Sequence, residues 1–117
     1  MDVKFFEFDK LPFEKVTDKV YRHYVWGEKI MLVYFKLEKG AIVPEHHHPN
    51  EQVTYILKGS VEVTTQGKKY VVKQGEVLIL PANVPHRFEA LEDCIDLDVF
   101  SPPRQDWLDG TDSYLKK

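Results

Sequence analysis

Turn residues recur through this chain at short, even intervals. Lys39-Gly40, Pro49-Asn50, Lys58-Gly59, Gln66-Gly67, Gln74-Gly75 and Pro81-Ala82-Asn83 each carry the Gly, Pro or Asn that a reversing backbone favours. The segments between them are strand-length: Glu51 to Leu57, Val61 to Thr65, Lys69 to Lys73, Val77 to Leu80, His86 to Leu91 and Ile95 to Phe100. Many short strands joined by regular turns predict an all-β sandwich or barrel. Upstream, Val3 to Phe8 reads as a first strand and Leu11 to Lys19 as a helical turn or loop. Val20 to Trp26 and Lys29 to Glu38 read as a hairpin about Gly27-Glu28. Within it, Ile30 to Phe35 is apolar on both faces, which calls for cover by a second sheet or a partner subunit. After Ser101-Pro102-Pro103 the pattern stops, and Asp106 to Gly110 reads as a turn or tail packed by Trp107.

At 117 residues the chain suits one domain, expected over residues 1–117. Sixteen basic against nineteen acidic residues give a net charge of −3, which argues against a nucleic-acid surface. No apolar run reaches the about 18 residues of a membrane-spanning helix, and the N-terminus lacks the pattern of a signal peptide. Cys94 stands alone and has no internal disulfide partner. The expectation is a cytoplasmic protein that engages neither nucleic acid nor membrane.

Four histidines fall in two places: His46, His47 and His48 together, and His86 some forty residues on. On extended backbone His46 and His48 share a face and His47 takes the other. Two imidazoles on one face make half a metal site; taken alone, the triplet reads equally as a polar loop, and His86 alone as a structural residue. His23 reads as structural.

The framing residues narrow this. Gly40, His46, His48, Gln52 and Gly59 stand at intervals of five, one, three and six residues. Gly75, Pro81, Asn83 and His86 stand at intervals of five, one and two. These frames resemble the two motifs of the cupin superfamily over residues 29–104. The resemblance implies a double-stranded β-helix of the jelly-roll type with short N- and C-terminal extensions. It also implies one divalent metal ion on His46, His48, Gln52 and His86. The first motif usually has Glu where Gln52 stands, and Asn83 replaces a Gly. Glu51 is a rival to Gln52; the family spacing selects Gln52. Three imidazoles and an amide leave the ion's charge uncompensated. Since two unit charges ~4 Å apart attract by about 4 kcal/mol at an effective dielectric of 20, such a site favours an anionic ligand. Nitrogen and oxygen ligation suits Mn, Fe, Ni or Zn.

A second constellation lies in Ile95 to Phe100, where Ile95, Leu97 and Val99 share one face and Asp96, Asp98 and Phe100 the other. Pattern alone reads this as a half-exposed strand with its acids in water. The strings Glu45 to Gln52, Pro81 to His86, Ala90 to Asp93 and Leu97 to Asp106, however, resemble the KdgF group of cupins, which act on unsaturated uronate monosaccharides from pectin or alginate. That resemblance implies three catalytic residues: Asp98 to move a proton, Arg104 to pair with the substrate carboxylate, and Phe100 to form a wall against the sugar ring. It implies a small anionic, sugar-like substrate, with the metal as Lewis acid in an isomerase-like opening and ketonisation of the ring. A metal-dependent oxygenase and a non-catalytic sugar-acid binder are the competing readings. A homodimer is expected through the doubly apolar strand.

Overall fold

The computed structural model describes residues 2–112. A short 3-10 helix at Phe8–Lys10 precedes ten strands: β1 (Glu14–Thr17), β2 (Val20–Trp26), β3 (Met31–Leu37), β4 (Ile42–His46), β5 (Glu51–Lys58), β6 (Ser60–Thr65), β7 (Lys68–Lys73), β8 (Val77–Leu80), β9 (His86–Ala90) and β10 (Cys94–Ser101). One turn of helix, α1 (Gln105–Leu108), follows. The strands form a six-stranded sheet in the order β1-β2-β3-β10-β5-β8 and a four-stranded sheet in the order β4-β9-β6-β7. Every pairing is antiparallel. The fold is the expected all-β double-stranded β-helix. Among the described residues no helix is long and apolar enough to cross a membrane.

The core fills the space between the sheets. Met31, Val33, Phe35, Leu37 and Ile56 enter from the large sheet, and Val61, Val63, Phe88 and Ala90 from the small one. Gly59 makes the turn from β5 to β6 with φ of +79°, and a Cβ there would run into the carbonyl oxygen of Asp93. That backbone region is open mainly to glycine.

Three sequence expectations are corrected here. Val3 to Phe8 forms no strand; Val3 and Phe5 are almost fully exposed, and Phe8 opens the 3-10 helix and packs against His23 and Tyr34. The segment Leu11 to Lys19 contains β1, paired with β2 across a turn at Asp18-Lys19. It escaped notice because Val16 is the one residue of β1 that enters the core. The acids of β10 are not in water: Asp96, Asp98 and Phe100 are buried, and Ile95, Leu97 and Val99 face outward, half-buried. β4, unforeseen as a strand, is an edge strand holding Pro44, a residue that edges tolerate.

The second apolar face of β3 is covered in part by the chain itself. Tyr34 packs with Phe8, Phe13 and His23 at ring-centroid distances of 6.2, 5.7 and 5.1 Å. Further along the outer face of the same sheet, Tyr55, Leu57, Val77 and Ile79 are exposed.

Candidate metal centre

His46 ends β4 and lies directly across the ladder from His86, which begins β9. His48 follows in the loop before β5. The Asn83 N–H donates to the His48 carbonyl at 2.8 Å, clasping the two histidine-bearing loops together. Asn83 takes φ of +65°, the left-handed conformation that suits the place of a motif glycine. The ligating atoms of His46, His48 and His86 all lie within 4.8 Å of one another. His47 points away and is exposed.

Each imidazole is set by its own backbone. The Nδ1–H of His46 donates to the Pro44 carbonyl at 2.8 Å and that of His86 to Val84 at 2.8 Å, and His48 Nδ1 faces the Asn50 carbonyl at 3.0 Å. With Nδ1 protonated, Nε2 carries the lone pair, which is how ligating histidines are prepared. His86 Nε2 is buried without a hydrogen-bond partner. Burial is the main force holding His46 down to about 3 and His48 to about 4, and it lowers His86 as well. All three are therefore neutral near pH 7.

Gln52 faces inward from β5 and Glu51 is exposed. Its Nε2 donates to Thr54 Oγ1 at 2.9 Å and to Asp98 Oδ2 at 3.3 Å, which turns Oε1 toward His48 Nε2 at 3.1 Å. With the ring proton of His48 on Nδ1, two lone-pair atoms stand at that separation, and a cation beside both relieves their repulsion. The donor set of three imidazoles and one amide oxygen thus fits a divalent ion of the Mn-to-Zn series.

A cavity of about 30 Å³ adjoins the histidines, lined in part by His46, His86, Gln52, Asp98, Phe100 and Arg104. Phe100 packs edge-on to His48 at 5.4 Å. Burial raises Asp98; hydrogen bonds from Asp96 and Thr54, and the charge of Arg104, oppose the rise. Arg104, at the start of α1, is 1% exposed and grips Asp106 with two parallel bonds, Nε to Oδ1 at 2.9 Å and Nη2 to Oδ2 at 2.8 Å. Its guanidinium carbon lies 5.0 Å from the ring centroids of both Phe100 and Trp107. The sequence expectation assigned Arg104 to the substrate alone; the structure adds an internal carboxylate. Sequence reasoning also passed over Asn50, whose Nδ2 donates to the carbonyls of Pro102 at 2.6 Å and Pro103 at 3.1 Å. That tie fixes the Pro-Pro-Arg segment against the histidine loop, and the one hint of it was the Pro49-Asn50 turn.

The Cupin domain family matches residues 33–100, more than half of the chain. The chain belongs to the cupin family. This cupin is 33% identical over 108 residues to the pectin degradation protein KdgF of Dickeya dadantii, covering 90% of this chain and 98% of the relative. Its fold superposes on the structure of KdgF from Halomonas sp. with a TM-score of 0.83 at 30% identity, covering 89% of this cupin and 99% of that chain. A crystal structure of an RmlC-like cupin from Shewanella frigidimarina also gives a TM-score of 0.83, at 26% identity, covering 91% and 96%.

Proposed function

We propose that this cupin is a metal-dependent enzyme that opens and ketonises 4,5-unsaturated uronate monosaccharides. The observation that carries the reading is convergence: Asp98, Phe100 and Arg104 line the same cavity as His46, His86 and Gln52. The kinship with a pectin degradation protein supports the substrate class.

The substrate is a cyclic hemiacetal whose C4=C5 double bond is conjugated to a carboxylate. In ring opening the C1–O5 bond breaks, the hemiacetal hydroxyl loses its proton, and C1 becomes an aldehyde. The ring oxygen stays on C5 as an enol. Protonation at C4 and loss of the enol proton give the 5-keto acid, with no net gain or loss of protons or electrons. A divalent ion on His46, His48, Gln52 and His86 would supply Lewis acidity toward the developing negative oxygen. Asp98 moves the proton, a role that typically contributes 10²- to 10⁴-fold. Arg104 attracts the carboxylate, and Phe100 presents an apolar wall that orients the ring and keeps water out.

The test is incubation of metal-loaded protein with 4-deoxy unsaturated galacturonate, following loss of the conjugated absorbance. Turnover that falls at least about 10²-fold in Asp98→Asn supports the assignment. Unchanged turnover in that variant overturns it. Oxygen uptake dependent on Fe(II) and an organic substrate, or tight uronate binding without turnover, selects one of the competing readings.

We also infer a homodimer through the outer face of the six-stranded sheet. Val53, Leu97 and Val99 are half-buried there beside the open Tyr55, Leu57, Val77 and Ile79. A two-fold contact sets the same patch of both copies against itself, and an apolar patch meets its copy without like-charge repulsion.

A further inference from the structure

We propose that Asn50 is a positioning residue for Arg104: its side-chain amide braces the backbone that delivers the guanidinium to the cavity, with the histidine loop as the anchor. Arg104 follows two prolines, and a proline has no N–H to donate. The backbone of Pro102-Pro103 can therefore be held only through its carbonyls. Asn50 Nδ2 donates to both of them, at 2.6 and 3.1 Å. Asn50 is 3% exposed, and its own carbonyl faces His48 Nδ1 at 3.0 Å. One buried residue thus meets the His48 imidazole with its backbone and the approach to Arg104 with its side chain.

The brace matters because of how Arg104 is held otherwise. Asp106 grips the guanidinium at 2.9 and 2.8 Å, but it lies two residues on and travels with the same segment. Trp107 belongs to that segment too, and the Phe100 ring attracts the cation without a directed bond. These contacts set the guanidinium relative to α1; the Asn50 amide sets the segment relative to the histidines. Backbone conformation does not call for asparagine here, since the only described non-glycine residues at positive φ are Gln66 and Asn83. The paired donors do.

Only the ligand-binding arm of the test rests on the uronate reading. The chain has three arginines, Arg22, Arg87 and Arg104, and their side-chain Nε–H signals can be followed by NMR in isotope-labelled protein. The Arg104 signal is assigned by its loss in Arg104→Lys. Asn50→Leu removes both donors at similar volume and adds no charge. It should shift or broaden the Arg104 signal and leave that of Arg22, which Glu14 and Asp112 hold at 2.7 Å. An unmoved Arg104 signal, or equal movement of both, overturns the proposal. Calorimetry with zinc present should show Asn50→Leu weakening galacturonate binding about tenfold. In an Arg104→Gln background the same change should add less than about 2-fold, because residues that act through one group are not additive. Full loss in that background overturns the positioning role. A displaced Arg104 in a protein without uronate turnover ends the uronate reading and leaves the brace; an undisturbed Arg104 in one with turnover does the reverse. Asn50→Ser, which keeps one donor, should give an intermediate displacement and carries the test should Asn50→Leu not fold.

Discussion

The Nε2 of His48 faces the Oε1 of Gln52 at 3.1 Å, a separation that either a proton on Nε2 or a cation beside both atoms satisfies. The backbone carbonyl of Asn50 lies 3.0 Å from His48 Nδ1, and Thr54 and Asp98 take the amide hydrogens of Gln52. With the ring proton on Nδ1 both facing atoms offer lone pairs, and a cation beside them turns repulsion into attraction. Adding Ni, Zn, Mn or Fe(II) to chelator-treated protein should therefore raise Tm, by the equivalent of about 2.7 kcal/mol at 100-fold excess over Kd. Gln52→Ala should weaken binding at least about tenfold. Gln52→Glu should tighten the metal and loosen an anionic ligand, because the added negative charge offsets half of the ion's. Calorimetric titration of metal and of a sugar acid checks both directions.

The neutral histidines give metal-free protein a pH dependence of known sign. Unfolded imidazoles take up protons near pH 6.5, whereas His48 and His46 in the fold resist until about 4 and about 3. Between those values the unfolded state binds more protons, so stability rises with pH there. Thermal unfolding of metal-free protein should show Tm falling as pH drops from 7 to 4. His46→Gln should flatten the fall.

Asp106 orients Arg104 by a two-point grip, and removing it should be felt by the ligand before the fold. Asp106→Ala should raise the KM for an unsaturated uronate about tenfold, equal to about 1.4 kcal/mol, with a smaller change in kcat. Arg104→Lys should cost more, because an ammonium cannot make the paired bonds. Steady-state kinetics on the two variants separates these effects.

The outer sheet face makes a claim about mass. Light scattering should find wild type at twice the chain mass, and Ile79→Lys at the chain mass with the site intact. Ile79 is 58% exposed in the isolated chain, so a lysine there meets no clash unless a second copy covers it. A wild-type monomer removes the inference.

The strands from β5 onward were legible because Gly59, Gly67, Gly75 and the Pro81 turn punctuate them, and punctuation is a local property. The histidine frame was legible for a related reason: spacing on extended backbone fixes which side chains share a face. Which face turns inward is not local. On β10 alternation correctly paired Asp96 with Asp98 and Phe100, yet the ordinary preference for acids in water put that set outside. A small barrel with a polar centre reverses the preference at one end, and its outer face stays apolar enough to look like a core. The strand expected at Val3 to Phe8 did not form, because Val3 and Phe5 find no core to pack against, and a packing partner is not something a stretch of sequence declares. The grip of Asp106 on Arg104 was invisible too, since an acid two residues after an arginine is an ordinary surface pattern.

Trp107 contacts two guanidinium groups, with the carbon of Arg22 4.2 Å and that of Arg104 5.0 Å from its ring centroid. Arg22 is itself moored to Glu14 and Asp112, each at 2.7 Å. The guanidinium of Arg104, which lines the cavity beside the histidines, thus travels with the segment after the last strand, while the histidines travel with the barrel. Change in the dozen residues from Ser101 to Asp112 could redirect such a protein to another acid without disturbing a single imidazole.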